Sequence, residues 1–287
     1  MRAGPEPNRV ASIRQRLLDG ARARNDEFQF VLDRYAVERL LYRLAQSRHR
    51  ERFLLKGALL FSLWFEQPYR PTRDADFLAL ESLDAEALGE VVLELCAMTF
   101  DDGLAYLPET MRVAPIREEA RSGGLRVSMV AMLGNARCSI QLDVGFGDAV
   151  TPGPVLSDYP VLLPDMPAPT LHTYPRETLF AEKLEAIAAF GMVNSRLKDY
   201  NDLLVLVREG AMDRRTLVQA IIATFRRRGT SLPVEFAGLS DEFAADRDKQ
   251  AQWKAFRTRS RLPHSPLSDA VSDLRSYVEG LELLKAA

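Results

Sequence analysis

Asp74 and Asp76, two positions apart in Arg73-Asp74-Ala75-Asp76, stand directly before the apolar run Phe77-Leu78-Ala79-Leu80. An apolar run this short reads as a buried strand. Side chains alternate along an extended chain, so both aspartates share one face while Ala75, Phe77 and Ala79 share the other. Carboxylates so placed repel each other unless a cation sits between them. A hard divalent ion held by few protein oxygens is Mg²⁺, which also brings in phosphates. The competing reading is a solvated turn ahead of a strand.

A third carboxylate has the same character. In Cys138-Ser139-Ile140-Gln141-Leu142-Asp143-Val144, Asp143 shares the polar face with Ser139 and Gln141. If this strand lies beside the first, Asp74, Asp76 and Asp143 converge, enough for two Mg²⁺ ions. One would activate an attacking hydroxyl and the other would clamp a nucleoside triphosphate leaving group. Alternatively Asp143 is a strand-edge acid that discourages aggregation. Lys183 lies within the apolar stripe of a helix, one turn from both Leu179 and Ile187. It either snorkels to water or reaches an anion, for which phosphate is the natural partner of its point charge. Asp199 and Asp202 open a further helix on one face, where acids also serve as caps and dipole partners.

The elements that must carry these residues follow from periodicity. Residues 10–46 read as amphipathic helix and 53–65 as a loop at Lys56-Gly57 leading into a buried helix. Residues 68–72 read as a turn, 83–98 as a helix outside the sheet, and 125–133 and 137–146 as strands. The proline-rich stretch 151–169 reads as a linker between subdomains. Helices are expected over 175–189, 198–207, 214–225, 240–256 and 267–284, the first with proline at its start and Gly191 past its end. The domains expected are 1–165 and 166–287.

Composition excludes several classes. The chain has 287 residues, 47% hydrophobic and 27% charged, as in ordinary globular proteins. It lacks an apolar run of about 18 residues, so no membrane span is expected. The N-terminal residues lack a secretory signal, and Cys96 and Cys138 read as reduced core residues of a cytoplasmic protein. His49, His172 and His264 are scattered, which argues against a histidine-based metal site or triad. A net charge of −2 means that any nucleic-acid contact needs a local basic patch. Arg226-Arg227-Arg228 and the series Arg257, Arg259, Arg261 are the candidates, against the reading of solvated helix faces.

Five segments occur in a telling order: Leu55-Lys56-Gly57-Ala58-Leu59, Arg70-x-Thr72-Arg73-Asp74-Ala75-Asp76-Phe77, Gln141-Leu142-Asp143, Ala181-Glu182-Lys183-Leu184 and Arg196-Leu197-Lys198-Asp199-Tyr200-Asn201-Asp202-Leu203. Together they resemble the AbiEii/AbiGii (MenT-like) nucleotidyltransferase toxins of bacterial toxin–antitoxin systems. The resemblance implies an α/β (α+β) fold. A DNA-polymerase-β-like core with a small mixed sheet would be followed by an all-helical C-terminal domain, with the active site in the cleft between them. It implies Asp74 and Asp76 as Mg²⁺ ligands, with Asp143 added only by the strand argument above, and Asp199 as the essential acid of the last motif. Lys56, Gly57, Ser62, Arg73 and Lys183 would bind the nucleotide, Lys183 at the triphosphate. This chain departs from the pattern at Ala58 and Leu59, where the family commonly has a second glycine and then a hydroxyl residue; Ser62 lies one turn further on. The implied activity is transfer of a nucleotide from an NTP to RNA, at the tRNA 3′ end, with growth arrest and a cognate antitoxin as partner. Transfer to a protein side chain and a non-catalytic nucleotide- or partner-binding module are the alternatives.

Overall fold

The computed structural model describes residues 7–66, 70–116 and 123–286. They form two compact units, one built from residues 7–66, 72–116, 123–147 and 156–173 and the other from 70–71, 148–155 and 174–286.

The first unit begins with helices α1 (Pro7–Arg24) and α2 (Phe28–Gln46), then strand β1 (Phe53–Lys56) and the short helix α3 (Leu60–Trp64). Next come β2 (Ala75–Ala79), α4 (Ala85–Ala97), β3 (Leu104–Pro115), β4 (Gly124–Leu133), β5 (Ala136–Phe146), β6 (Val155–Asp158) and β7 (Thr170–Thr173). Among the described residues the strands form one mixed seven-stranded sheet in the order β3-β4-β5-β2-β1-β7-β6. β2 runs parallel to β5 and antiparallel to β1. Phe53, Phe77, Leu142 and Val144 meet Leu40, Leu41, Leu44, Leu88 and Val92 across one sheet face, which is the core under α2 and α4. Asp76 and Asp143 alternate onto the opposite face.

Helix α2 is buried along more than its apolar stripe. The Arg43 guanidinium donates to the Asp102 carboxylate at 2.5 and 3.3 Å and stacks on Tyr106 and Phe100. Glu38 accepts from the Leu162 backbone N–H at 2.6 Å, and burial pushes its carboxyl up to about 7 against the pull of Arg39.

The second unit is helical: α5 (Arg176–Phe190), α6 (Leu197–Glu209), α7 (Arg214–Arg228), α8 (Asp241–Ala245), α9 (Arg247–Arg259), α10 (Leu267–Gly280) and α11 (Leu283–Ala286). Three expectations are corrected. Residues 53–56 are a strand rather than a loop, because Phe53, Leu54 and Leu55 are buried on both faces and show no alternation. The helix expected over 240–256 breaks at Asp246, whose extended backbone and carboxylate cap α9 by accepting from the Lys249 N–H at 2.9 Å. The proline-rich stretch holds β6 before the chain turns back to β7, and the expected turn at 68–72 lies partly outside the described residues. Strand β3 had no expectation: it is a sheet-edge strand carrying Pro108 and a register shift between Leu107 and Arg112.

Candidate active site

The acidic face of the first unit is set by strand register. In the parallel pair Asp76 lies directly opposite Asp143, and in the antiparallel pair Lys56 lies opposite Asp76. Asp74, one residue before β2, borders a hollow of about 390 Å³ whose walls include Arg73, Ser139 and Gln141. β5 therefore presents its polar row on Asp74's side, as alternation requires.

Gly57 makes this arrangement possible. Its φ is +74°, a left-handed conformation that glycine adopts without strain. A Cβ there would fall 1.9 Å from the Asp76 Oδ2, so the backbone turns directly against the carboxylate. Ala58 and Leu59 follow as buried residues of a single 3₁₀ turn. Ser62 accepts at 3.3 Å from Arg34. Arg73 is exposed, 3.3 Å from Glu27, with its guanidinium 5.9 Å from the Phe30 ring centre.

Asp143 has a partner that sequence reasoning missed. Arg126 of β4 lies opposite it and donates from Nε and Nη2 to its two oxygens at 2.8 and 2.6 Å. The signal was the Gly134-Asn135 turn: a two-residue hairpin connection fixes the register of both strands and so places Arg126 beside Asp143. No group of three or more metal-binding side chains is assembled among the described residues. The donors that suit Mg²⁺ are the oxygens of Asp74 and Asp76, since this ion takes one or two carboxylates and completes its shell with water and substrate phosphate. Both oxygens of Asp143 accept from Arg126.

In the helical unit, α5 and α6 build a second charged cluster. The Lys183 ammonium donates to Asp199 at 2.6 Å and lies 2.9 Å from Asp202. Arg70 grips Asp202 with a fork at 2.7 and 2.9 Å, and Arg196 donates to Asp199 at 2.9 Å. Burial disfavours the charges on Lys183, Asp199 and Asp202, and their partners offset it. Lys183 is raised above its ordinary value because Asp199 and Asp202 outweigh desolvation. Asp199 is held well below the carboxylate range by Lys183 and Arg196, and Asp202 is lowered by Lys183 and Arg70. The anion Lys183 reaches is thus the protein's own pair of carboxylates. Arg196 carried a usable signal, since it stands three residues before Asp199; Arg70 comes from more than a hundred residues away and carried none.

The basic run at the end of α7 divides. Arg226 and Arg227 are exposed, whereas Arg228 turns inward to Asp148, Glu182 and Glu185 at 3.1, 3.4 and 2.9 Å. Arg228 is therefore removed from the expected surface patch. Arg257 likewise packs over Trp253 and donates to the Asn201 side chain at 3.3 Å.

A family model described as "Nucleotidyl transferase AbiEii toxin, Type IV TA system" matches residues 39–277. The chain belongs to this nucleotidyltransferase toxin family. Membership implies an NTP substrate and an antitoxin partner. Among solved structures the chain is similar to MenT4, a nucleotidyltransferase toxin of Mycobacterium tuberculosis H37Rv. The TM-score is 0.51 at 19% identity, covering 93% of this chain and 99% of that one. It is also similar to a crystallised H. pylori protein described as a nucleotidyltransferase, with TM-score 0.50, 14% identity and coverage of 91% and 99%. At these identities the likeness establishes the fold, a mixed α/β nucleotidyltransferase core with a helical C-terminal region. No curated protein matches the chain in sequence. No helix among its described residues is long and apolar enough to cross a membrane.

Proposed function

We propose that this chain transfers a nucleoside monophosphate from an NTP to the 3′ end of tRNA, releasing pyrophosphate and halting growth in the cytoplasm by blocking aminoacylation. The observation that supports it is the packing of Gly57 against Asp76, with Asp74 and Asp143 on the same side of the sheet. Mg²⁺ held by Asp74 and Asp76 would neutralise triphosphate charge and acidify the attacking hydroxyl. The chain's own part is positioning: the Gly57 turn seats the Asp76 carboxylate against the backbone, with Lys56 opposite it, and Arg73 and Ser62 contribute to the nucleotide grip. Lys183 would meet a phosphate by exchanging one of its carboxylate partners, Asp199 or Asp202. Holding the reacting groups in line supplies much of such catalysis.

The test is incubation with each labelled NTP, Mg²⁺ and total tRNA, followed by a denaturing gel. Label should enter tRNA with one preferred NTP, and Asp74→Ala should abolish it with an unchanged thermal melt in EDTA. Full activity of that variant would overturn the site. Label in a protein band instead of tRNA would favour a protein acceptor.

A further inference from the structure

Arg126 takes no part in the transfer proposed for this chain, yet it engages the third carboxylate directly. It lies on β4 opposite Asp143, and its two-pronged bond at 2.8 and 2.6 Å holds both carboxylate oxygens. A planar guanidinium matched to a carboxylate in this way is more specific than a lysine would be, because the fork fixes orientation as well as charge. Asp143 is 17% exposed and Arg126 39%, so the pair stands at the edge of solvent and can open without unfolding the strand. Asp143 is also the register partner of Asp76. The fork therefore cancels one of three negative charges gathered on this stretch of the sheet.

We propose that Arg126 is a positioning residue that keeps Asp143 away from divalent metal, so that the site takes its ion together with the nucleotide's phosphates rather than ahead of them. The proposal rests on Asp74 and Asp76 as the metal pair. With Asp143 engaged, protein oxygens alone supply a weak site, and substrate phosphate must complete it. With Asp143 released, a third carboxylate raises the negative charge facing the ion and the affinity for it.

Mn²⁺ titration of the nucleotide-free protein, followed by the electron paramagnetic resonance of the unbound ion, tests this directly. Wild type should bind weakly, and Arg126→Gln about 10-fold more tightly, the scale of effects from groups that orient metal ligands. Arg126→Gln combined with Asp143→Asn should return to the wild-type level. Arg126→Lys, which keeps the charge but loses the fork, should fall between and serves if the glutamine variant folds poorly. Unchanged or weaker binding in Arg126→Gln, or a gain that persists in the double variant, would overturn the proposal. Asp74→Ala separates the two readings. If it binds Mn²⁺ as wild type does, the Asp74/Asp76 assignment fails on its own. If it loses binding while Arg126→Gln stays at the wild-type level, only the role of Arg126 fails.

Discussion

Lys183 shows how a residue can be singled out in the sequence while its partners in the fold stay hidden. A lysine inside an apolar stripe signals an anion, and α5 supplies that stripe, but the anions are Asp199 and Asp202. Removing the lysine therefore does more than free a ligand site: Lys183→Met should cost about 3–5 kcal/mol, the usual penalty for leaving a buried charge without its partner. Urea denaturation will measure it, and a loss below about 1 kcal/mol would mean that the cluster relaxes into water. The same cluster sets a pH limb. Asp199 and Asp202 titrate lower in the fold than in the unfolded chain, so their stabilisation is complete above the ordinary carboxylate value of about 4. It is lost as the pH falls through the depressed folded values, because the unfolded chain then binds more protons. Denaturation midpoints at pH 7 and pH 3 should differ in wild type, and by less in Asp199→Asn. The acidic residues of the sheet were legible because one face is buried, which makes alternation meaningful. Arg70 was not, because nothing local ties it to Asp202.

At the scale of elements, the β1–3₁₀ turn is the piece with least tolerance. Gly57 combines a left-handed backbone with contact against Asp76. Gly57→Ala must either twist the turn or push the carboxylate aside, so nucleotide transfer should fall at least about 10-fold in kcat/KM, with a lowered melting temperature. An alanine variant with wild-type transfer would show that Asp76 does not need its present position. Elements whose caps lie in the sequence were readable: Asp84 accepts from Ala87 N–H at the start of α4, Asp213 from Thr216 N–H at the start of α7, and Gly229 ends α7 with a φ of +66°. β1 and β3 were not, one because it is buried on both faces and the other because proline and a register shift disguise it.

Over the whole molecule, a net charge of −2 leaves polyanion binding to a few exposed arginines. Arg226 and Arg227 fit that role, and Arg228, tied to three carboxylates, does not. Changing Arg226 and Arg227 to Glu should weaken tRNA binding and flatten its salt dependence by about 0.7–0.9 for each phosphate no longer neutralised, with the melt unchanged. A tRNA affinity indifferent to both the change and the salt would point to another surface. The parallel pairing of β2 with β5 has a consequence for synthesis. β2 ends at Ala79 and β5 begins only at Ala136, with α4, β3 and β4 between them. A chain growing from the ribosome holds Asp74 and Asp76 long before the strand that backs them, and such long-range pairing is slow to form. Every fragment released before Asp143 lacks the third carboxylate, so the complete acidic row exists only in chains elongated to about the middle.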